Sequence, residues 1–89
     1  MLFADYAHKF IPVLFDLMRH DDGAIKKVAI DAIYSIAAIV PDEVIKYRLE
    51  ILQILKPNRC HKMRPVREAT LETIKLLKET GPPLSETEM

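Results

Sequence analysis

The sequence predicts an all-α fold, an α-solenoid of two stacked helical hairpins with four main helices. Three observations predict it. Apolar residues recur at three- and four-residue spacings in four segments, which only helices can gather onto continuous faces. Prolines, glycines and short acidic stretches separate those segments. The second half of the chain repeats the first at a shift of 41 residues, the separation of Tyr6 from Tyr47.

The first helix is placed from Asp5 to Arg19, on Phe10, Ile11, Val13, Leu14, Phe15, Leu17 and Met18, with Asp5 as N-cap. Pro12 lacks the N–H of the helical ladder and marks a kink or a restart. His20, Asp21, Asp22 and Gly23 form a polar break in which either Asp can cap the next helix. In helix two, Ile25, Val28, Ala29, Ala32, Ile33, Ile36 and Ala37 make one wide stripe, with Ile30, Tyr34 and Ala38 outside it, so more than one side must be covered. Pro41, Asp42 and Glu43 open helix three, which is expected to run unbroken to Leu55 before Pro57 and Asn58 stop it and a longer loop follows. Helix four runs from Pro65 to Glu79. It buries Val66, Ala69, Thr70, Thr73, Ile74 and Leu77 and turns Arg67, Glu68, Glu72, Lys75 and Lys78 outward. Gly81 and the prolines after it end the helix, and residues 82–89 read as a disordered acidic tail.

The 41-residue shift sets Phe10 on Ile51, Ile11 on Leu52 and Val13 on Ile54 in the first and third helices. In the second and fourth it sets Ile25 on Val66, Lys26 on Arg67, Val28 on Ala69, Ile30 on Leu71, Ile33 on Ile74 and Ile36 on Leu77. Residues 5–40 and 41–80 are therefore two copies of one hairpin, neither able to cover its apolar faces alone. The run Ile11-Pro12-Val13-Leu14-Phe15-Asp16-Leu17-Met18, the Asp21-Asp22 turn, and Ile25-Lys26-Lys27-Val28-Ala29 with Ala32-Ile33 resemble a HEAT repeat. The second copy keeps Pro65-Val66-Arg67-Glu68-Ala69 and Leu71. The segment Arg59-Cys60-His61-Lys62-Met63-Arg64-Pro65-Val66-Arg67-Glu68 is similar to the last repeat of the TOG-like domains of TORTIFOLIA-type plant microtubule-associated proteins. That resemblance implies tubulin or microtubule binding, with the turns around Asp22 and Lys62 on the contacting edge. Where such domains commonly place a Trp in a contact turn, this chain has Gly23.

Thirteen basic and thirteen acidic side chains cancel over 89 residues, which disfavours nucleic acid and membrane surfaces as partners. The longest apolar stretch, Ala32 to Val40, falls far short of a membrane span. A single cysteine, Cys60, allows no intrachain disulfide, and the chain is read as intracellular and cytoplasmic; a cytoskeletal location is what the resemblance implies. Adjacent Cys60 and His61 lack the spacing of a zinc site, and no base is recognisable for a cysteine nucleophile. Isolated glycines make no phosphate loop, so neither catalysis nor a cofactor is expected.

From Lys56 to Arg67 the chain carries Lys56, Arg59, Lys62, Arg64 and Arg67 with no acidic residue. Cations held on a rigid turn suit an acidic protein surface. These five, with Asp22 and Lys26 of the first turn, are the candidate protein-binding residues, and Asp21 or Asp22 is expected to pair with Arg67. The expected function is non-catalytic binding of tubulin or microtubules. The alternative is a general HEAT scaffold that takes a peptide or neighbouring subunit on its concave helices. Exposed apolar end faces add the expectation of self-association.

Overall fold

A computed structural model of the chain describes residues 2–82, with side chains from Lys9 onward. The tail expected beyond Pro82, and the side chains of Phe3, Asp5, Tyr6 and His8, lie outside the described residues. Helix α1 spans Leu2–Met18, α2 Gly23–Ile39, α3 Pro41–Ile45, α4 Arg48–Leu55 and α5 Arg64–Glu79, with a 3-10 helix at Lys56–Cys60 between α4 and α5. No strand occurs among the described residues.

Helix α1 runs through Pro12 without a restart and has begun by Leu2, so Asp5 lies inside it rather than capping it. Asp22 does cap α2: its carboxylate accepts from the Ala24 amide at 2.8 Å, satisfying one of the orphan donors of the first turn. Val40 is the whole connection between α2 and α3, and Pro41 fits the first helical turn, where its missing N–H costs nothing. The expected long third helix is two. Tyr47, at φ −110° and ψ 5°, leaves helical geometry, and its amide closes a tight turn on the Val44 carbonyl at 2.9 Å. The break lets α3 lie against α2 while α4 turns to α5 and the 3-10 helix. It also sends the Tyr47 ring edge-on to Phe15 of α1, with centroids 6.1 Å apart. The expected loop after Leu55 opens instead with the Lys56–Cys60 3-10 helix.

Both hairpins contribute to one core. Ile11 and Met18 from α1, Ala29, Ile30, Ile33, Ile36 and Ala37 from α2, Val44 from α3, Ile51, Leu52, Ile54 and Leu55 from α4, and Val66, Ala69, Ile74 and Leu77 from α5 are all buried. Helix α2 lies between α1 and α5, while α4 touches α1. Thus α2 faces α5 across the two halves just as α1 faces α4. This explains one departure in α2. Val28, expected on its stripe, is 69% exposed, whereas Ile30, placed outside the stripe, is fully buried. The covered sector is rotated toward α5, because α5 is the second helix that α2 must satisfy.

Positions 41 residues apart differ in burial. Ile51, Ile54 and Ala69 face the first hairpin and are buried, while their counterparts Phe10, Val13 and Val28 are 52%, 55% and 69% exposed. Ile30, between the halves, is buried, and its counterpart Leu71 is 53% exposed. In each of these pairs the buried member is the one that lies against the other half of the chain.

Candidate protein-binding edge

The link between α1 and α2 and the link between α4 and α5 lie at the same end of the helices, side by side. Gly23, at the start of α2, is buried beneath Met63 and His61 of the second link, and a Cβ there would overlap the Met63 sulfur. Met63 therefore fills the space above Gly23, and a large side chain at position 23 would displace it. The Lys26 ammonium reaches from α2 to the Asn58 side-chain oxygen at 3.1 Å, tying the first hairpin to the 3-10 helix of the second. Asn58 is 95% buried by its 5% exposure, and its amide donates to the Ile54 carbonyl at 3.4 Å. The His61 amide closes on the Asn58 carbonyl at 3.2 Å. One asparagine thus fixes the helix before it, the turn after it and the neighbouring hairpin.

The two turns share a device. The Asp22 amide donates to His20 Nδ1 at 3.0 Å, and the Met63 amide donates to His61 Nδ1 at 3.0 Å. His20 and His61 are one repeat shift apart, as are the two helix-capping positions Asp22 and Met63. Accepting at Nδ1 requires that nitrogen to be unprotonated, so the neutral rings carry their proton on Nε2. Neither histidine nor Asn58 was a candidate from sequence. The signal that could have found the histidines is their 41-residue separation.

The pairing expected between Asp21 or Asp22 and Arg67 does not form. Asp22 is occupied with the α2 cap, and the Arg67 guanidinium instead donates through Nη1 to the His61 and Lys62 carbonyls at 2.8 and 3.1 Å. A basic side chain opening α5 is unfavourable against the positive end of the helix dipole. The two turn carbonyls supply the acceptors that offset it, so Arg67 holds the turn closed from behind rather than reaching across to the first hairpin.

The remaining cations line the outside. Lys62 and Arg59 are exposed, and Arg59 Nε donates back to the Lys56 carbonyl at 3.3 Å, while Lys56 is half-buried. Arg64 pairs with Glu68 at 2.7 Å, but both side chains are well exposed, at 78% and 59%. Such a pair contributes little to stability and is easily exchanged for a partner's carboxylate. No ion pair engages Lys56, Arg59 or Lys62 among the described residues. The structure therefore brings Lys56, Arg59, Lys62 and Arg64 onto one edge, with Arg67 and Lys26 as internal ties and Asp22 as a cap beside it.

No family model matches the chain, and neither a curated protein nor a solved structure matches it. No helix among the described residues is long and apolar enough to cross a membrane. Cys60 is a free, exposed thiol on the basic edge, and no three His, Cys, Asp or Glu side chains among the described residues come together as a metal site.

Proposed function

We propose that the chain is a non-catalytic protein-binding module of two HEAT-like hairpins, whose basic turn edge binds tubulin or microtubules in the cytoplasm. The observation that carries this reading is the turn from Lys56 to Arg64. Its backbone is fastened by Asn58, His61 and Arg67, while Arg59 and Lys62 project from it without an acidic partner among the described residues. A turn held in this way loses little conformational freedom on docking, so more of the electrostatic attraction is retained as affinity. Tubulin offers an acidic exterior, which is the complement this edge requires. The resemblance of Arg59 to Glu68 to a microtubule-binding repeat points to the same partner.

Charge reversal tests it. Arg59→Glu with Lys62→Glu is expected to reduce co-sedimentation with microtubules by tenfold or more, with the helical circular dichroism unchanged, since neither side chain enters the core; about 1.4 kcal/mol of lost attraction suffices for that factor. Unchanged co-sedimentation would remove the edge from the account.

A second reading is a scaffold that takes a peptide between α2 and α5. A surface groove of about 350 Å³ lined by Tyr34, Glu72, Lys75, Leu76 and Glu79 favours it. Binding that resists salt, survives the Arg59 and Lys62 reversals and fails in Tyr34→Ala would select the groove instead.

A further inference from the structure

Two sulfur atoms stand on the second link. Cys60 is an exposed free thiol, and Met63, the residue that precedes α5, is 36% exposed. Met18, the other methionine among the described residues, is fully buried in the core. The Met63 side chain reaches back across the seam between the links and rests on the α2 backbone at Gly23. A Cβ on Gly23 would overlap the sulfur and lie 3.2 Å from the Met63 methyl carbon. Gly23 is itself buried, and the hydrogen bond from Lys26 to Asn58 crosses the same seam about one turn further along α2.

An unbranched, polarisable thioether suits a bare stretch of backbone, but only while its sulfur stays apolar. Oxidation to the sulfoxide makes that atom polar, chiral and bulkier. A contact this tight leaves no slack for the added oxygen, so the enlarged group must rotate outward to water. Met63 is open to an oxidant and Met18 is shielded from it, which selects the site.

We infer that Met63 is a redox-sensitive pin for the basic edge, converted by hydrogen peroxide to a sulfoxide that leaves Gly23 and frees the second link from the first. The step is a two-electron oxidation. A sulfur lone pair attacks one peroxide oxygen, the S–O bond forms as the O–O bond breaks, and the transferred oxygen gives its proton to the departing one, which leaves as water. Methionine sulfoxide reductases return the thioether, so the pin can be reset. The consequence falls on the projecting cations, because Met63 also closes their turn. Its amide donates to His61 Nδ1, and its carbonyl accepts from the Arg67 amide at 3.1 Å. A link without its anchor must be ordered on docking, which lowers affinity. The loss of affinity rests on the reading of this edge as the microtubule contact; release of the pin does not.

The test uses the full chain with Cys60→Ser, so that the thiol consumes no oxidant, and isotope-labelled methionine methyl groups. In the reduced protein a nuclear Overhauser contact should join the Met63 methyl to the Gly23 α-protons. Under peroxide, Met63 should oxidise at least about tenfold faster than Met18 by peptide mass spectrometry, and the contact should vanish. Once the peroxide is removed, microtubule affinity should be lower by about fivefold, and sulfoxide reductases should restore it. Met63→Leu, a volume-conserving change, should bind as the wild type does and be insensitive to peroxide. Equal oxidation of Met18 and Met63, a methyl contact that survives in the sulfoxide, or binding unaltered after the contact is lost would each overturn the inference. A chain that never co-sediments with microtubules removes the edge reading alone, since oxidation and loss of the Gly23 contact are read on the free protein.

Discussion

Thr70 carries a fully buried hydroxyl that no described group bonds, whereas its neighbour Thr73, one helical turn on, returns its hydroxyl to the Ala69 carbonyl at 2.8 Å. An unmet buried hydroxyl costs more than a satisfied one contributes, so Thr70→Val is expected to stabilise the protein by about 1 kcal/mol. In a domain of this size that raises the melting temperature by about 4–8 °C, which thermal unfolding measures; a lower melting temperature would show that the hydroxyl is engaged. Both threonines were legible as buried from the helical spacing of α5, but which of the two hydroxyls would find a carbonyl was not. The same limit applied to Arg67. Its position opening α5 showed that an acceptor was needed, yet the nearest acceptors are its own turn's carbonyls rather than an aspartate of the first hairpin. Short-range backbone groups outcompete a distant side chain because no extra chain ordering is needed to reach them.

Among the helices, α5 was read almost completely, because its apolar stripe is narrow and its outer face strongly charged. The stretch from Pro41 to Leu55 was not. Apolar residues there point in more directions than one helix can bury, and the resolution is the turn at Lys46 and Tyr47. That turn delivers Arg48, 6% exposed, to the Thr80 carbonyl at the C-terminal end of α5, where a cation meets the negative end of the helix dipole. Gly81 completes the stop with φ 81°, a left-handed conformation that a side chain resists, and a Cβ there would press on Ile45 at 2.8 Å. Gly81→Ala is therefore expected to destabilise the protein by at least about 1–2 kcal/mol from the backbone term alone, seen as a lower denaturation midpoint in urea with an unchanged slope. An unaltered midpoint would mean the α5 end is not fixed as described.

At the scale of the whole molecule, the repeat shift was the most informative feature of the sequence. It aligns the sequence of α1 with that of α4 and of α2 with that of α5, and the described residues are all-helical as the spacing predicts. It could not show which copy's apolar positions would be covered. Val28 and Ala69 look alike in sequence, yet one is exposed and the other buried because only the second copy has a neighbour on that side. The basic run from Lys56 to Arg67 was equally legible, but its division into outward cations and internal ties depends on Asn58 and His61, whose roles appear only when the two turns are set side by side. The account rests on that edge meeting an acidic protein surface. Zero-length carbodiimide cross-linking to microtubules, which joins a lysine ammonium only to a carboxylate it touches, tests this most directly. Lys62 and Lys56 should carry the cross-links to tubulin, and Lys46, exposed at the far end of the helices, should carry none. Cross-links concentrated on Lys46, or none to tubulin at all, would contradict it.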